Sequence, residues 1–367
     1  MGTHTRANGG STSGIIELHG VGQAPTLVPA SQRALAYALE YHARQSEPST
    51  DEVLDEWRGK PDRLGTLKAG VGYLLAGDRA RARSLLVKSV PNSSVFNTPA
   101  LVLALRQLEP VLDAETRRII LEALRTIDTR GSEDIIAGRN NNIPLLAWTT
   151  RIAQGVLFGI PERVDAGRRA LERLTDLVAT HGTLPEFNSP TYHAITLSCL
   201  RSIVLLGEPT TSRLAARLER HLWQEMAWRY HPKLRSLCGP WGRAYHDSLV
   251  GASGLVPLLL HIAWGALFDP SVAYPYRHAH DNLHGALFPL MLQGFGGSCA
   301  RTALQKSYPL AVCASAEQVQ RKLGDDEHRT WVAGGIAELT TWMDENLAVG
   351  SASRSHVHGM QNATYLA

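Results

Sequence analysis

The segment GTLPEFNSPTYHAITLSCL, residues 182–200, is a loop punctuated by Gly182, Pro185 and Pro190 that opens into an apolar helical run. Pro190 suits a helix start, where its missing N–H is not needed and its fixed φ fits. Outward from this segment the same grammar repeats. GIPE, GEPTTS and HPKLRSLCGPWG separate runs whose apolar residues recur with a helical period. The spacing predicts helices over 61–77, 78–89, 98–109, 113–127, 142–158, 162–181, 190–206, 210–229, 246–267, 282–293, 314–323 and 329–345. SQRALAYALEYHARQ adds an earlier one, with Ser31 as its cap and Leu35, Ala38, Leu39 and Tyr41/His42 on the period.

Many helices of ordinary length joined by short loops imply antiparallel pairs. No fixed period with a repeat signature runs through the chain, which argues against the usual solenoids. The expected fold is therefore all-α: an incomplete α/α toroid of paired antiparallel helices with a short strand-like C-terminal tail. Residues 1–14, rich in Gly, Ser and Thr, are expected to be a disordered tail. The toroid would span 15–345, and 346–367 would be a closing tail or the stub of a β domain.

The 367 residues suit one large helical domain, or two medium ones, and 44% hydrophobic with 19% charged residues is ample for a large core. A net charge of +3 tolerates an anionic substrate, but no concentrated Lys/Arg run points to nucleic acid. Cys199, Cys238, Cys299 and Cys313 lack CxxC spacing and read as reduced, mostly buried thiols. The start MGTHTRANGGSTSG lacks the apolar core of a signal peptide, and the apolar run 249–267 is broken by Gly251, Gly254, Pro257, His261 and Gly265. A cytoplasmic location and no membrane partner are the resulting expectations.

Three loops concentrate chemistry. Gly138-Arg139-Asn140-Asn141-Asn142-Ile143-Pro144 precedes a helix that carries Trp148, Arg151 and Gln154 at helical spacing, so that these three are expected to line the same cleft as the loop. Asparagines cap helices well, so a plain N-cap is one reading; a carboxamide donating into a cleft is the other. In the loop 184–193, Glu186 and Asn188 precede Tyr192 and His193, which fall in the first helical turn. Tyr and His there suit proton transfer, or simple packing. In 238–248, Trp241 offers a flat face for a sugar, Arg243 a permanent charge for a carboxylate, and Tyr245, His246 and Asp247 further titratable groups. An aromatic loop packed on a helix is the alternative.

PEFNSPTYHAITL resembles the Glu, Ser-Pro and Tyr-His stretch of heparinase II/III-like and oligoalginate lyase-like polysaccharide lyases. NNNI, some way upstream, stands where those enzymes carry an Asn-Asn-His-Gly element. The resemblance implies a helical toroid that cleaves uronate-containing saccharides by β-elimination, without a nucleotide, flavin or other cofactor and without a required metal. By position it implies Asn141 as the amide that neutralises the uronate carboxylate and Tyr192 as the acid or base. His193, Arg243, Tyr245 and His246 would complete the catalytic set, and Arg139, Asn142, Trp148, Glu186, Asn188 and Trp241 would contact substrate. Asn142 replaces the family's His, and the large C-terminal β-sandwich is reduced to a stub in which His356 or His358 could stand for its catalytic His. The expected partner is an anionic oligo- or polysaccharide, or a small carboxylated molecule.

Other signals are weaker. His278, His280, Asp281 and His284 cluster without a known metal-site spacing, and GFGGS at 294–298 reads as a flexible loop. A toroid recruited for another elimination, isomerisation or cyclisation is a second class of function. A glycoside hydrolase using Glu186 and Asp247 is a third, and a helical scaffold a fourth.

Overall fold

Two kinds of helix alternate along the chain. Thr98–Gln107 buries every residue from Thr98 to Leu105, whereas Ala114–Thr126 buries only Thr116, Ile119, Ile120, Ala123 and Leu124 and leaves Arg117 and Arg118 in solvent. A helix apolar all round belongs inside, and one with an apolar stripe belongs outside. The computed structural model describes residues 63–131, 141–231, 233–243, 255–264, 283–304, 311–318, 321–323, 330–332, 335–344, 346–353 and 365–366, with Gln32, Leu35, Ala36, Ala38, Leu39 and Glu40.

The helices are α1 (Arg63–Leu75), α2 (Arg79–Ser89), α3 (Thr98–Gln107), α4 (Ala114–Thr126), α5 (Asn142–Phe158), α6 (Pro161–His181), α7 (Tyr192–Leu206), α8 (Pro209–Arg229), α9 (Leu255–Trp264), α10 (Phe288–Met291) and α11 (Phe295–Leu304). Asp113 caps α4 by accepting from the Thr116 N–H at 2.7 Å, and proline opens α6 and α8. Gly159, Gly182 and Gly207, all left-handed, end α5, α6 and α7.

Packing follows the burial pattern. α1 contacts α3, α3 contacts α5 and α7, α5 contacts α7, and α7 contacts α9. The 3-10 turn Leu283–Leu287 contacts both α9 and α1. The one-sided helices lie against these: α2 on α1, α4 on α3 and α5, α6 on α5, α8 on α7 and α6, and α11 on α8 and α9. One continuous apolar cluster runs through them from Leu35 to Ala303. No described helix is long and apolar enough to cross a membrane.

The chain is mainly helical, as the Gly/Pro punctuation predicts, but its C-terminal part differs from expectation. The helices expected at 314–323 and 329–345 are strands: β3 (Ala311–Gln318), β4 (Arg321–Leu323), β5 (Thr330–Val332) and β6 (Gly335–Met343). They follow the short hairpin β1 (Tyr230–His231) and β2 (Ser236–Leu237), and precede β7 (Ala348–Ala352) and β8 (Tyr365–Leu366). β3, β6, β7 and β8 form one antiparallel sheet in that order, with Ala314 opposite Leu339 and Trp342 opposite Val349. Strands thus begin inside the span assigned to the helical domain. The physical reason is visible in β6. Ala337, Leu339, Thr341 and Met343 are buried while Glu338 and Trp342 are exposed, a period of two that the helix-forming Ala, Glu and Leu disguise. GFGGS, expected to be a loop, instead opens α11.

The sheet docks on the loops before α7 and after α8. Phe187 packs with Ala337 and Leu339, and Cys238 with Met343 and Ala348. Thr341 Oγ1 donates to the Gly239 carbonyl at 2.6 Å, and His231 Nε2 donates to the Asp344 carbonyl at 2.7 Å. Gly350 meets Gly239 so closely that a Cβ there would lie 2.2 Å from the Gly239 carbonyl carbon.

Candidate functional site

The three loops singled out by sequence meet at one carboxylate. Glu186 is fully buried, and its Oε2 accepts the backbone N–H groups of Asn141 at 3.0 Å and Asn142 at 2.8 Å. These are donors of the first turn of α5, which have no partner inside the helix, so a carboxylate there satisfies them and complements the helix dipole. Glu186 Oε1 accepts from Arg243 Nη1 at 2.8 Å, which ties in the third loop. Burial raises the Glu186 pKa, against the lowering pull of Arg243 and of the two amides.

Asn141 completes the lock. Its side-chain oxygen accepts the Glu186 N–H at 3.0 Å, and its Nδ2 donates to Thr196 Oγ1 at 3.1 Å. Both ends of this carboxamide are therefore spent on the fold. Asn142 differs: it is 1% exposed, and its carboxamide oxygen has no hydrogen-bond partner among the described residues. Of the two, Asn142 is the one with side-chain capacity left over.

Arg243 bridges toward Tyr192. Its guanidinium lies 4.2 Å from the centre of the Tyr192 ring, a cation–π distance. The backbone of Arg243 is left-handed at φ 54°, a conformation that costs a non-glycine residue about 1–3 kcal/mol unless its surroundings hold it. The Glu186 pair and the Gly242 N–H donated to the Phe187 carbonyl at 2.8 Å supply that hold. Asn188, left-handed at φ 43°, braces the same loop by donating to the Cys238 and Pro240 carbonyls at 2.7 and 3.0 Å. Tyr192 is half-buried at the start of α7.

His193 faces different company. The Ser189 N–H donates to its Nδ1 at 3.3 Å, so its proton sits on Nε2, which lies 3.6 Å from Glu225 Oε2. Glu225 Oε1 accepts from Arg229 Nη1 at 2.8 Å and from the Thr183 hydroxyl. Burial opposes ionisation of Glu225, but Arg229 and His193 outweigh it and hold the carboxyl at about 2. At 1% exposure His193 belongs to this buried network.

The structure corrects two expectations. Trp241 is 1% exposed and belongs to the main core, so its face is not open to stack on a sugar. Gln154 does not line a shared cleft: its Nε2 donates to the Leu124 and Ile127 carbonyls at 2.9 and 3.0 Å, closing the end of α4. Trp148 is partly buried against the core with Arg151 over its ring at 5.1 Å. Arg139, Tyr245, His246 and Asp247, the 278–284 histidine cluster and His356 and His358 lie outside the described residues. No group of His, Cys, Asp and Glu among the described residues could hold a metal. Cys199, Cys238 and Cys299 are free and buried, as expected; the Cys313 side chain is outside the described set.

Sequence reasoning missed Glu219, Glu225 and Arg229. A signal exists: all three fall among Leu218, Leu222 and Met226, on the apolar stripe of α8, where a charge needs a special reason. Glu219 is 3.7 Å from Arg201, and burial pushes its pKa up to about 7 despite Arg201 and Arg220.

Compared with known proteins, the chain matches no curated protein and no solved structure. A family model does match, over residues 87–293, a span that holds α3 to α10 and all three loops but not the C-terminal sheet. That span exceeds half of the chain, which therefore belongs to the protein family described as a domain of unknown function, DUF8769.

Proposed function

We propose that this protein is a carbon–oxygen lyase that cleaves a uronic-acid-containing saccharide by β-elimination on an α/α toroid, as the resemblance to heparinase II/III-like and oligoalginate lyase-like enzymes implies. The toroid reading rests on helix adjacency that runs α1, α3, α5, α7, α9 and returns to α1 through the turn Leu283–Leu287. The observation that carries the functional reading is the contact of Arg243 with both Tyr192 and Glu186, which brings three distant loops to one place.

β-Elimination removes a weakly acidic proton beside a carboxylate, so the carboxylate must be neutralised first. Arg243 supplies that neutralisation, and a preorganised donor of this kind is worth about 2.7–4 kcal/mol in the transition state. Tyr192 takes the proton and returns it to the leaving oxygen. A guanidinium over its ring stabilises the phenolate that this requires. Asn141, Glu186 and His193 hold the loops in place. Hydrolysis with Glu186 as an acid finds no support, because Arg243 and two backbone amides already occupy both of its oxygens.

Mass spectrometry of products from uronate oligosaccharides tests the reaction class. A lyase yields, from the reducing-end side of the cut, a fragment whose new non-reducing end is unsaturated, one water lighter than the hydrolysis product. Fragments that carry the added water would refute the elimination, as would full activity in Arg243→Ala.

A further inference from the structure

A cavity of about 410 Å³ lies between α6 and α8, near the C-terminal ends of both. Its size falls in the small-molecule range of about 300–1,000 Å³. Tyr192 and Arg243 do not line it. The α6 wall is low, with Ala179 exposed at its edge. The α8 wall presents Arg217, His221, Glu225, Trp228 and Arg229 along one helical face.

These residues combine three recognition chemistries. Glu225 and Arg229 are buried to 1% exposure, yet Glu225 Oε2 and Arg229 Nε have no hydrogen-bond partner among the described residues. Glu225 Oε2 faces His193 Nε2 at 3.6 Å, which leaves the Arg229 Nε–H as the open donor, a match for a hydroxyl oxygen. Arg217 is exposed at the rim and has no ion-pair partner among the described residues, which suits a carboxylate. Trp228, half-buried, supplies a flat apolar face. His221 Nε2 donates to the Gly182 carbonyl at 2.8 Å and so fixes the opposite edge.

We propose that this cavity binds a monosaccharide-sized hydroxylated acid of the uronate type. Its carboxylate sits on Arg217, its ring lies against Trp228, and a hydroxyl accepts from Arg229. Binding there needs neither Tyr192 nor Arg243, so it stands or falls apart from the elimination reaction.

Isothermal titration of the full chain with D-glucuronate tests it, with glucose and acetate as the ligands lacking the carboxylate and the hydroxylated ring. Saturable glucuronate binding is expected, with glucose and acetate both weaker. Arg217→Ala should weaken glucuronate about tenfold, the loss of one hydrogen bond to a charged group. Ala179→Trp, which fills the cavity from an exposed position, should abolish binding, while Tyr192→Phe leaves it unchanged. Circular dichroism checks that each variant is folded. The proposal is overturned by the lack of saturable glucuronate binding, by equal affinity for glucose, by indifference to Arg217→Ala, or by binding that survives Ala179→Trp.

Discussion

Replacing Glu186 by Gln should unlock the three loops while leaving the side-chain volume almost unchanged. The carboxylate is fully buried and accepts three hydrogen bonds, from the Asn141 and Asn142 backbone and from Arg243 Nη1. A carboxamide keeps one oxygen and converts the other into a donor. With its NH2 toward Arg243, two donors face each other; with its NH2 toward α5, two helix N–H groups lose their acceptor. Arg243 loses its counter-charge in either orientation.

An unsatisfied buried donor costs about 1–3 kcal/mol, and removing one partner of a buried ion pair about 3–5 kcal/mol. Arg243 keeps 15% side-chain exposure, so water can reach it, and the expected loss lies at the low end, about 3 kcal/mol. Against a total stability on the order of 5–15 kcal/mol that is a large change. Urea unfolding followed by circular dichroism measures it, with an unchanged m-value because the surface exposed on unfolding is the same. Glu115→Gln is the control, since Glu115 pairs with Arg118 in solvent and its loss should be undetectable. If Glu186→Gln costs no more than Glu115→Gln, the buried carboxylate does not organise the site.

Three further outcomes follow from the packing and the buried charges. Gly350→Ala places a Cβ against the Gly239 backbone, so thermal unfolding should show a loss of about 1–3 kcal/mol and limited proteolysis should cut the C-terminal sheet sooner; unchanged stability and digestion would mean that the sheet is not seated on that loop. The Glu219 carboxyl titrates in the folded chain at about 7 instead of 4.5, so the native state holds its proton longer and stability falls as pH rises through that window. The fall amounts to roughly 3 kcal/mol, and Glu219→Gln should lack it in urea unfolding at both ends of the window; parallel pH profiles would refute the assignment. Cys199, Cys238 and Cys299 are buried, with thiols raised by burial to about 12, 12 and 11, so the native protein should show at most one fast-reacting thiol, that of Cys313, with a disulfide reagent. Rapid reaction of several thiols would contradict that burial.

Much of the helical part was legible because Gly and Pro mark its boundaries: Gly159, Gly182 and Gly207 end helices where the sequence places them. The sheet was not legible, since GIAELTTWM is written in helix-forming residues and its alternation emerges only once one face is covered by Phe187. The loops that carry the site were visible from their residue types, but the division of labour within them was not. Asn141 and Asn142 are adjacent and chemically identical; only the Glu186 N–H and Thr196 show that the first is committed to the fold. Trp241 looks like a platform in sequence, and tertiary packing alone puts it in the core. Glu225 and Arg229 stand out on the apolar stripe of α8, but what they pair with emerges only once His193 and Thr183 are placed beside them.

The central claim, elimination driven by Tyr192, is tested most directly by the ultraviolet absorbance of the unsaturated uronate product. The full chain would be mixed in turn with alginate, heparan, chondroitin, hyaluronan and glucuronan oligomers. The account predicts a rise with at least one of them that disappears in Tyr192→Phe. Silence from the folded protein across all five, or a rise that Tyr192→Phe leaves intact, would contradict it.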